Sequence, residues 1–174
     1  MAGALSWMRT FGDCIKIVPA ENYHLTLKFL GAIGVERISG IQTALEAAAQ
    51  NVSACDLRLD GWGVFPPRGA PKVFWIGVEP REVLVPIFER CEAALENLGF
   101  ARETRDFQSH VTLVRTDKAK APADLLERWK KLSSLSGPVA FCADKITLYE
   151  SILGGKASVY RPLGHFKFCT YYSK

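Results

Sequence analysis

Two short segments of the chain carry the same pattern, His24-Leu25-Thr26-Leu27 and His110-Val111-Thr112-Leu113. Each reads as a strand, in which residues i and i+2 face the same side. Histidine and threonine then share one face, while Leu25 and Leu27, or Val111 and Leu113, turn the other way into a core. A fold that satisfies both segments must anchor two strands from behind. Each then presents one imidazole and one hydroxyl.

The elements around the two segments repeat in the same order. In the first half, a strand around His24–Phe29 leads to a helix from Val35 to Ala49, whose inner stripe is Ile38, Ile41, Leu45 and Ala48. Gly40 lies inside that helix at a cost of about 1 kcal/mol relative to Ala. A strand near Asp56–Trp62, the turn-rich stretch Phe65-Pro66-Pro67-Arg68-Gly69 and a strand at Lys72–Val78 follow. A helix over 82–99, with Leu84, Phe88, Cys91, Leu95 and Leu98 at helical spacing and Gly99 as its stop, leads to the second half. There a strand at His110–Val114 precedes a helix from Pro122 to Leu132, with Leu125, Trp129 and Leu132 on one face. Strands at Val139–Tyr149 and Ser158–Phe168, joined through Gly154-Gly155, close the chain. Both halves thus read strand, helix, strand, strand. Such orders are common, but a shared His-x-Thr-Leu opening makes accident the weaker explanation. The expected fold is α+β: two pseudo-symmetric βαββ lobes with largely antiparallel sheets flanking a central cleft.

At 174 residues the chain fits one bilobal domain, residues 1–174, able to bury a core without metals or disulfides. Its apolar fraction of 48% and charged fraction of 23% are those of an ordinary soluble protein. No apolar run is long enough to span a bilayer and no signal peptide is recognisable, so a cytoplasmic location is the default. Cys14, Cys55, Cys91, Cys142 and Cys169 are odd in number and never in a CxxC pair, which argues against a disulfide framework and a zinc site. Most are expected to be small buried apolar residues. The net charge of +4 suits a phosphate-bearing partner, although many proteins with other tasks are as basic.

Opening a phosphodiester with water requires a base for the attacking water, an acid for the departing oxygen, and donors for the charged phosphoryl oxygens. Histidine serves as either acid or base near neutrality. Two of them in opposite protonation states fill both roles without a metal or other cofactor, and threonine hydroxyls can donate to the non-bridging oxygens. A single histidine in a strand is more often a satisfied structural residue, but the pattern uses two of the chain's three histidines. His165, which lacks the threonine, is expected to be structural or on the surface. Neither motif has the further His, Cys or carboxylate that metal-ligand spacing requires.

At these residues the chain resembles the RNA 2′,3′-cyclic phosphodiesterases, also called 2′-5′ RNA ligases, of the two-histidine phosphoesterase superfamily. The resemblance lies in Glu21-Asn22-Tyr23-His24-Leu25-Thr26-Leu27-Lys28-Phe29-Leu30-Gly31 and in His110-Val111-Thr112-Leu113-Val114-Arg115. Gly63-Val64-Phe65-Pro66 and Val73-Phe74-Trp75-Ile76-Gly77-Val78 fit it too. So do Leu148, Ser151, Leu153, Gly155, Tyr160, Leu163 and Phe166. The resemblance implies a bilobal, metal-free enzyme that hydrolyses the 2′,3′-cyclic phosphate of an RNA end to a 2′-phosphate, with 2′-5′ joining as a second activity. It implies His24 as proton donor to the 3′ oxygen and His110 as acceptor from water, with Thr26 and Thr112 on the phosphate. The residues alone leave the two histidine roles interchangeable.

Arg115 is the trailing arginine of the second motif, yet strand parity puts it on the face of Val111 and Leu113. It reaches the phosphate only if the strand ends or bulges near Val114. Phe65, Phe107 and Tyr149 are candidates for stacking on a base. Tyr160 either borders the cleft or is a core aromatic. Two other functions fit the same motifs: a phosphodiesterase for a small nucleotide such as an ADP-ribose cyclic phosphate, and a nucleotide-binding module without chemistry. The partners expected are RNA ends or small cyclic-phosphate nucleotides, and not a membrane.

Before His24 the repeat is incomplete. Ala2–Phe11 can supply the end of a helix and Cys14–Val18 a short strand, but nothing matches Lys72–Val78. Members of the resembled family begin with a strand and a full helix here. The expectation is an N-terminal lobe lacking its first strand. An otherwise monomeric chain would then be open to dimerisation along the unpaired edge.

Overall fold

A computed structural model describes residues 11–12, 14–116, 124–135, 137–154 and 157–169. Its elements in chain order are β1 (Ile15–Ile17), α1 (Ile38–Ala49), β2 (Cys55–Phe65), β3 (Val73–Glu79), α2 (Arg81–Glu96), β4 (His110–Thr116), α3 (Leu125–Leu135), β5 (Val139–Ala143), β6 (Lys145–Gly154) and β7 (Ala157–Lys167). Strands hydrogen-bond in the order β1-β4-β3-β2-β5, and β6 pairs with β7 in a second sheet. The pairings of β4 with β1 and β3, and of β6 with β7, are antiparallel. The fold is α+β.

The chain forms two compact units, and each draws on both halves of the sequence. The first comprises Met1–Leu25, Arg58–Val78 and Ser109–Val139; the second comprises Thr26–Leu57, Glu79–Gln108 and Ala140–Lys174. Each His-x-Thr segment was expected to open its own lobe. Instead the strand of the second motif, β4, lies against β3 from the first half.

In the first unit, α3 buries Leu125, Trp129 and Leu132, the three residues that helical spacing selects. Trp129 stands edge-on to Trp62 at 4.8 Å and to Phe74 at 5.2 Å between ring centroids, which ties the helix to β2 and β3. Pro122 and the expected N-terminal helix end at Ala2–Phe11 fall largely outside the described residues. The short strand expected over Cys14–Val18 is present as β1.

In the second unit, a 3-10 turn at Val35–Arg37 runs into α1, which buries Ile41, Leu45, Ala48 and Ala49. Asn51 adopts φ 63° just beyond the helix, and Arg90 donates to the carbonyls of Ala48 and Gln50, satisfying acceptors that a helix end leaves open. The buried face of α2 consists of Leu84, Ile87, Phe88, Cys91, Glu92 and Leu95, at spacings of three and four residues. Leu98, expected on this stripe, lies past the helix end and is exposed. One strand expected over Val139–Tyr149 is interrupted at Asp144 into β5 and β6.

Glu92 is the exception in that stripe: a carboxylate only 1% exposed. Its charge is met by Lys28, which donates to both carboxylate oxygens at 2.7 and 2.8 Å and to the carbonyl of Ala101 at 2.7 Å. The Glu103 amide donates to Glu92 as well, at 2.8 Å. Every strong acceptor and donor of the pair is thus engaged, the condition under which a buried ion pair is tolerated. The pair fastens the segment following the first motif to α2.

Most cysteines were expected to be buried, and only Cys91 is. Burial pushes its thiol up to about 12, with Glu92 adding to the shift and Arg90 opposing it. Cys14 and Cys55 are half-buried, and Cys142 and Cys169 are exposed. These four lie outside the apolar helix stripes, which explains the difference. Among the described residues no helix is long and apolar enough to cross a membrane.

The buried pair makes a prediction. Lys28→Met leaves Glu92 charged and unmatched, so it should destabilise the protein by roughly 3–5 kcal/mol in urea unfolding. Combining it with Glu92→Leu should recover most of that loss. A single variant as stable as the parent would show that the ion pair does not hold the segment.

Candidate active site

The second motif is a true strand. Within β4, His110 and Thr112 are half-buried while Val111, Leu113 and Val114 are buried. Facing β3, the pairs are Gly77 with His110, Ile76 with Val111, and Trp75 with Thr112. Directly opposed residues of an antiparallel pair lie on one face. His110, Thr112 and Trp75 therefore share a face, and Val111 and Ile76 are on the core side.

Past Thr112 the register slips. Phe74 pairs with Val114 and Val73 with Arg115, so β4 carries one extra residue, Leu113, at a bulge. Both Leu113 and Val114 are fully buried. The bulge resets parity, and Arg115, exposed, falls on the face of Val73, Trp75, Thr112 and His110. Simple alternation would have placed it in the core. This is the circumstance in which Arg115 can serve the histidine site.

The first motif is not a strand. The expected strand His24–Phe29 is reduced to a single antiparallel bridge, Leu25 to Val111. Upstream, β1 pairs with β4 through Ile15 with Thr116, Lys16 with Arg115, and Ile17 with Val114, and the Val18 amide donates to the carbonyl of Leu113. A 3-10 turn at Ala20–Asn22 then carries the chain out and back. The turn uses the local bonds that a regular ladder would have required. Because Leu25 opposes Val111 on the core side, His24 turns to the face of Thr112 and His110. One bridge thus brings both histidines to one face of the first unit.

The His24 ring is oriented by its own turn. Its Nδ1 lies 2.8 Å from the carbonyl oxygen of Asn22. A carbonyl can only accept, so Nδ1 carries a proton and Nε2 becomes the nitrogen that gains or loses one. Next to it, the Tyr23 phenol is raised above its usual range by burial and then by the Glu21 carboxylate. His110 is held by aromatic rings, with Phe65 edge-on at 5.1 Å and Trp75 at 5.7 Å between centroids. Trp75 in turn lies against Phe65 and over Gly63, where a Cβ would stand 2.1 Å from the indole. Gly77, opposite His110, is glycine for a similar reason: a Cβ there would meet the Asp60 carbonyl oxygen at 2.4 Å.

Thr26 is half-buried and begins the second unit. Phe107 is buried and stacked on Phe88 at 4.6 Å, a core aromatic and not a surface for a base. Tyr149 is exposed and edge-on to the half-buried Tyr160 at 6.1 Å, on the β6-β7 sheet. His165 is exposed, its Nδ1 3.0 Å from the Thr147 hydroxyl, as expected of a surface residue. Two residues of the histidine face escaped sequence reasoning: Trp75, read only as part of a buried strand, and Lys16. Alternation along Ile15-Lys16-Ile17 was the available signal for the second. Among the described residues no three His, Cys, Asp or Glu side chains gather as metal ligands would.

The sequence profile of the 2′-5′ RNA ligase superfamily matches residues 14–154 of this chain. The chain belongs to that superfamily. An RNA 2′,3′-cyclic phosphodiesterase from Archaeoglobus fulgidus is 35% identical over 155 residues, covering 88% of this chain and 84% of the relative. One of the same name from Methanocaldococcus jannaschii is 34% identical over 149 residues, covering 84% and 80%. Among solved structures, TT0787 of Thermus thermophilus superposes with a TM-score of 0.75 at 27% identity, covering 95% of this chain and 90% of that one. E. coli LigT complexed with 3′-AMP gives a TM-score of 0.71 at 22% identity over 95% and 88%, a likeness of fold. The span matched to the 2′-5′ RNA ligase superfamily contains both His-x-Thr segments, the bulge and Arg115.

The packing of Trp75 on Gly63 is testable. Gly63→Ala should displace the indole that lies beside His110 and cost about 1–3 kcal/mol in urea unfolding, the usual scale of overpacking. A changed tryptophan signal in near-ultraviolet circular dichroism should accompany it. An unaltered spectrum at unaltered stability would mean that Trp75 is not fixed by this contact.

Proposed function

We propose that the protein hydrolyses the 2′,3′-cyclic phosphate at an RNA end to a 2′-phosphate, by histidine acid–base catalysis that needs no metal ion. The observation carrying this reading is the Leu25–Val111 bridge, which turns His24 and His110 to one face with Thr112 beside them. The names of several relatives at 30–35% identity support the same activity.

In this reading His110 takes a proton from water as the oxygen attacks phosphorus. His24, charged, gives the Nε2 proton to O3′ as the P–O3′ bond breaks. The product keeps the phosphate on O2′. The Asn22 carbonyl holds Nδ1, so Nε2 is the nitrogen through which His24 passes its proton. The hydroxyls of Thr26 and Thr112 donate to the non-bridging oxygens, and the Arg115 guanidinium balances their charge. If a 5′-hydroxyl of a second RNA replaces water, the same proton transfers make a 2′-5′ linkage, so ligation needs no further residue. Five free cysteines accord with a reducing compartment such as the cytoplasm.

His24→Ala and His110→Ala should each lower the rate on a 2′,3′-cyclic phosphate by roughly 10²–10⁴-fold. The double variant should lose far less than the product of the two, because the residues act as a unit. Activity should persist in EDTA and fall on both sides of a pH optimum, since one imidazole must be neutral and the other charged. Loss on chelation with recovery on adding a divalent ion would rule out the metal-free route. Near-full activity in either single variant would rule out the histidine pair.

Arg115→Ala should reduce kcat/KM by roughly 10–100-fold, the worth of a charged hydrogen bond. Arg115→Lys should restore part of it. No change in either variant would mean that the bulge does not bring Arg115 to the phosphate.

A further inference from the structure

The histidine face continues beyond Arg115. Lys16 pairs directly with Arg115 across β1 and β4, so the two cations stand side by side on the face that carries Thr112, Trp75 and His110. Both side chains are exposed. Like charges directly opposed on a sheet are destabilising. Neither residue has an ion pair with a carboxylate among the described residues. Lys28 shows the contrast, being 9% exposed and locked onto Glu92. A polyanion lying along this face would relieve the repulsion that the fold leaves in place.

Spacing distinguishes the two cations. Arg115 stands opposite Val73 and His110 opposite Gly77, so the two lie ~14 Å apart at the backbone, four strand steps. Thr112 is midway, and the long arginine side chain can extend back towards it. Lys16 is one strand further out, ~4.8 Å beyond Arg115, on the outermost strand of the sheet. A single phosphate held between the histidines does not extend to it. In an RNA whose 3′ end is the cyclic phosphate, every other phosphate lies on the 5′ side.

We propose that Lys16 binds the RNA backbone phosphate next to the terminal cyclic phosphate on its 5′ side, and so makes this protein prefer an RNA end to a free nucleotide. The assignment rests on the cyclic phosphodiesterase reading given above.

The experiment compares kcat/KM for cytidine 2′,3′-cyclic phosphate and for a short RNA ending in a 2′,3′-cyclic phosphate, in the parent, Lys16→Ala and Lys16→Arg. Lys16→Ala should lose about fivefold to tenfold more on the RNA than on the nucleotide, and flatten the log–log salt dependence for RNA by about 0.7, one phosphate contact on a single strand. Lys16→Arg should keep the parental preference. If the parent opens both substrates and Lys16→Ala leaves their ratio and the salt slope unchanged, the Lys16 assignment fails while the activity stands. If the parent opens neither substrate, the cyclic phosphodiesterase reading itself fails and takes the assignment with it.

Discussion

Strand β4 is hydrogen-bonded along both edges, and the histidine face exists because of how those edges are used. One edge carries β3, whose register sets Trp75 beside Thr112 and Gly77 opposite His110. The other carries β1 and then, after an excursion of the chain, Leu25 alone. Backbone pairing is indifferent to side-chain chemistry, but it fixes which residues share a face. Val111 and Val114 are pinned on the core side by Ile76 and Phe74, so Thr112 between them has no choice of side. Leu113, the added residue, turns Arg115 from a core position into a surface one. No ionisable group had to be buried to assemble this face.

The second unit solves a different problem with a different device. There the segment after the first motif is not secured by a ladder, and the burial of Lys28 against Glu92 takes its place. Hydrogen bonds from the Glu103 amide and to the Ala101 carbonyl complete the shell. An ion pair of this kind contributes little net energy compared with an apolar pair of the same volume. Its geometry is demanding, however, and it admits only one arrangement of the chain around it. The apolar stripe of α2 carries this polar anchor without losing its helical period.

Much of this was legible in the sequence because it follows from period alone. The helices α1, α2 and α3 lie where three- and four-residue spacing puts them, and Leu125, Trp129 and Leu132 are buried as the pattern requires. The paired His-x-Thr segments led directly to the histidines. What escaped was set by long-range pairing. His24–Phe29 has the alternation of a strand, but its neighbour on β4 is largely β1, so only Leu25 pairs. The side of Arg115 depended on a bulge that no local signal announces. The units, each built from segments of both halves, follow from β4 meeting β3, which order along the chain does not reveal. The Lys28–Glu92 pair escaped as well, because it joins residues far apart along the chain and Glu92 lies within a stripe read only for its apolar members.

The Leu25–Val111 bridge has a bearing on how the protein reaches its working state. It joins residues separated by the whole of the sequence lying between the two motifs. Closing so long a loop carries an entropic cost that only the surrounding contacts can offset, and contacts of that kind form slowly. The helices can form earlier from local interactions, but a chain that has only its helices has no face on which His24 and His110 meet. On the function proposed above, catalytic competence is therefore a property of the finished topology and not of any fragment. During refolding, recovery of turnover should trail recovery of helical signal, making the enzyme's own reaction a reporter of complete assembly.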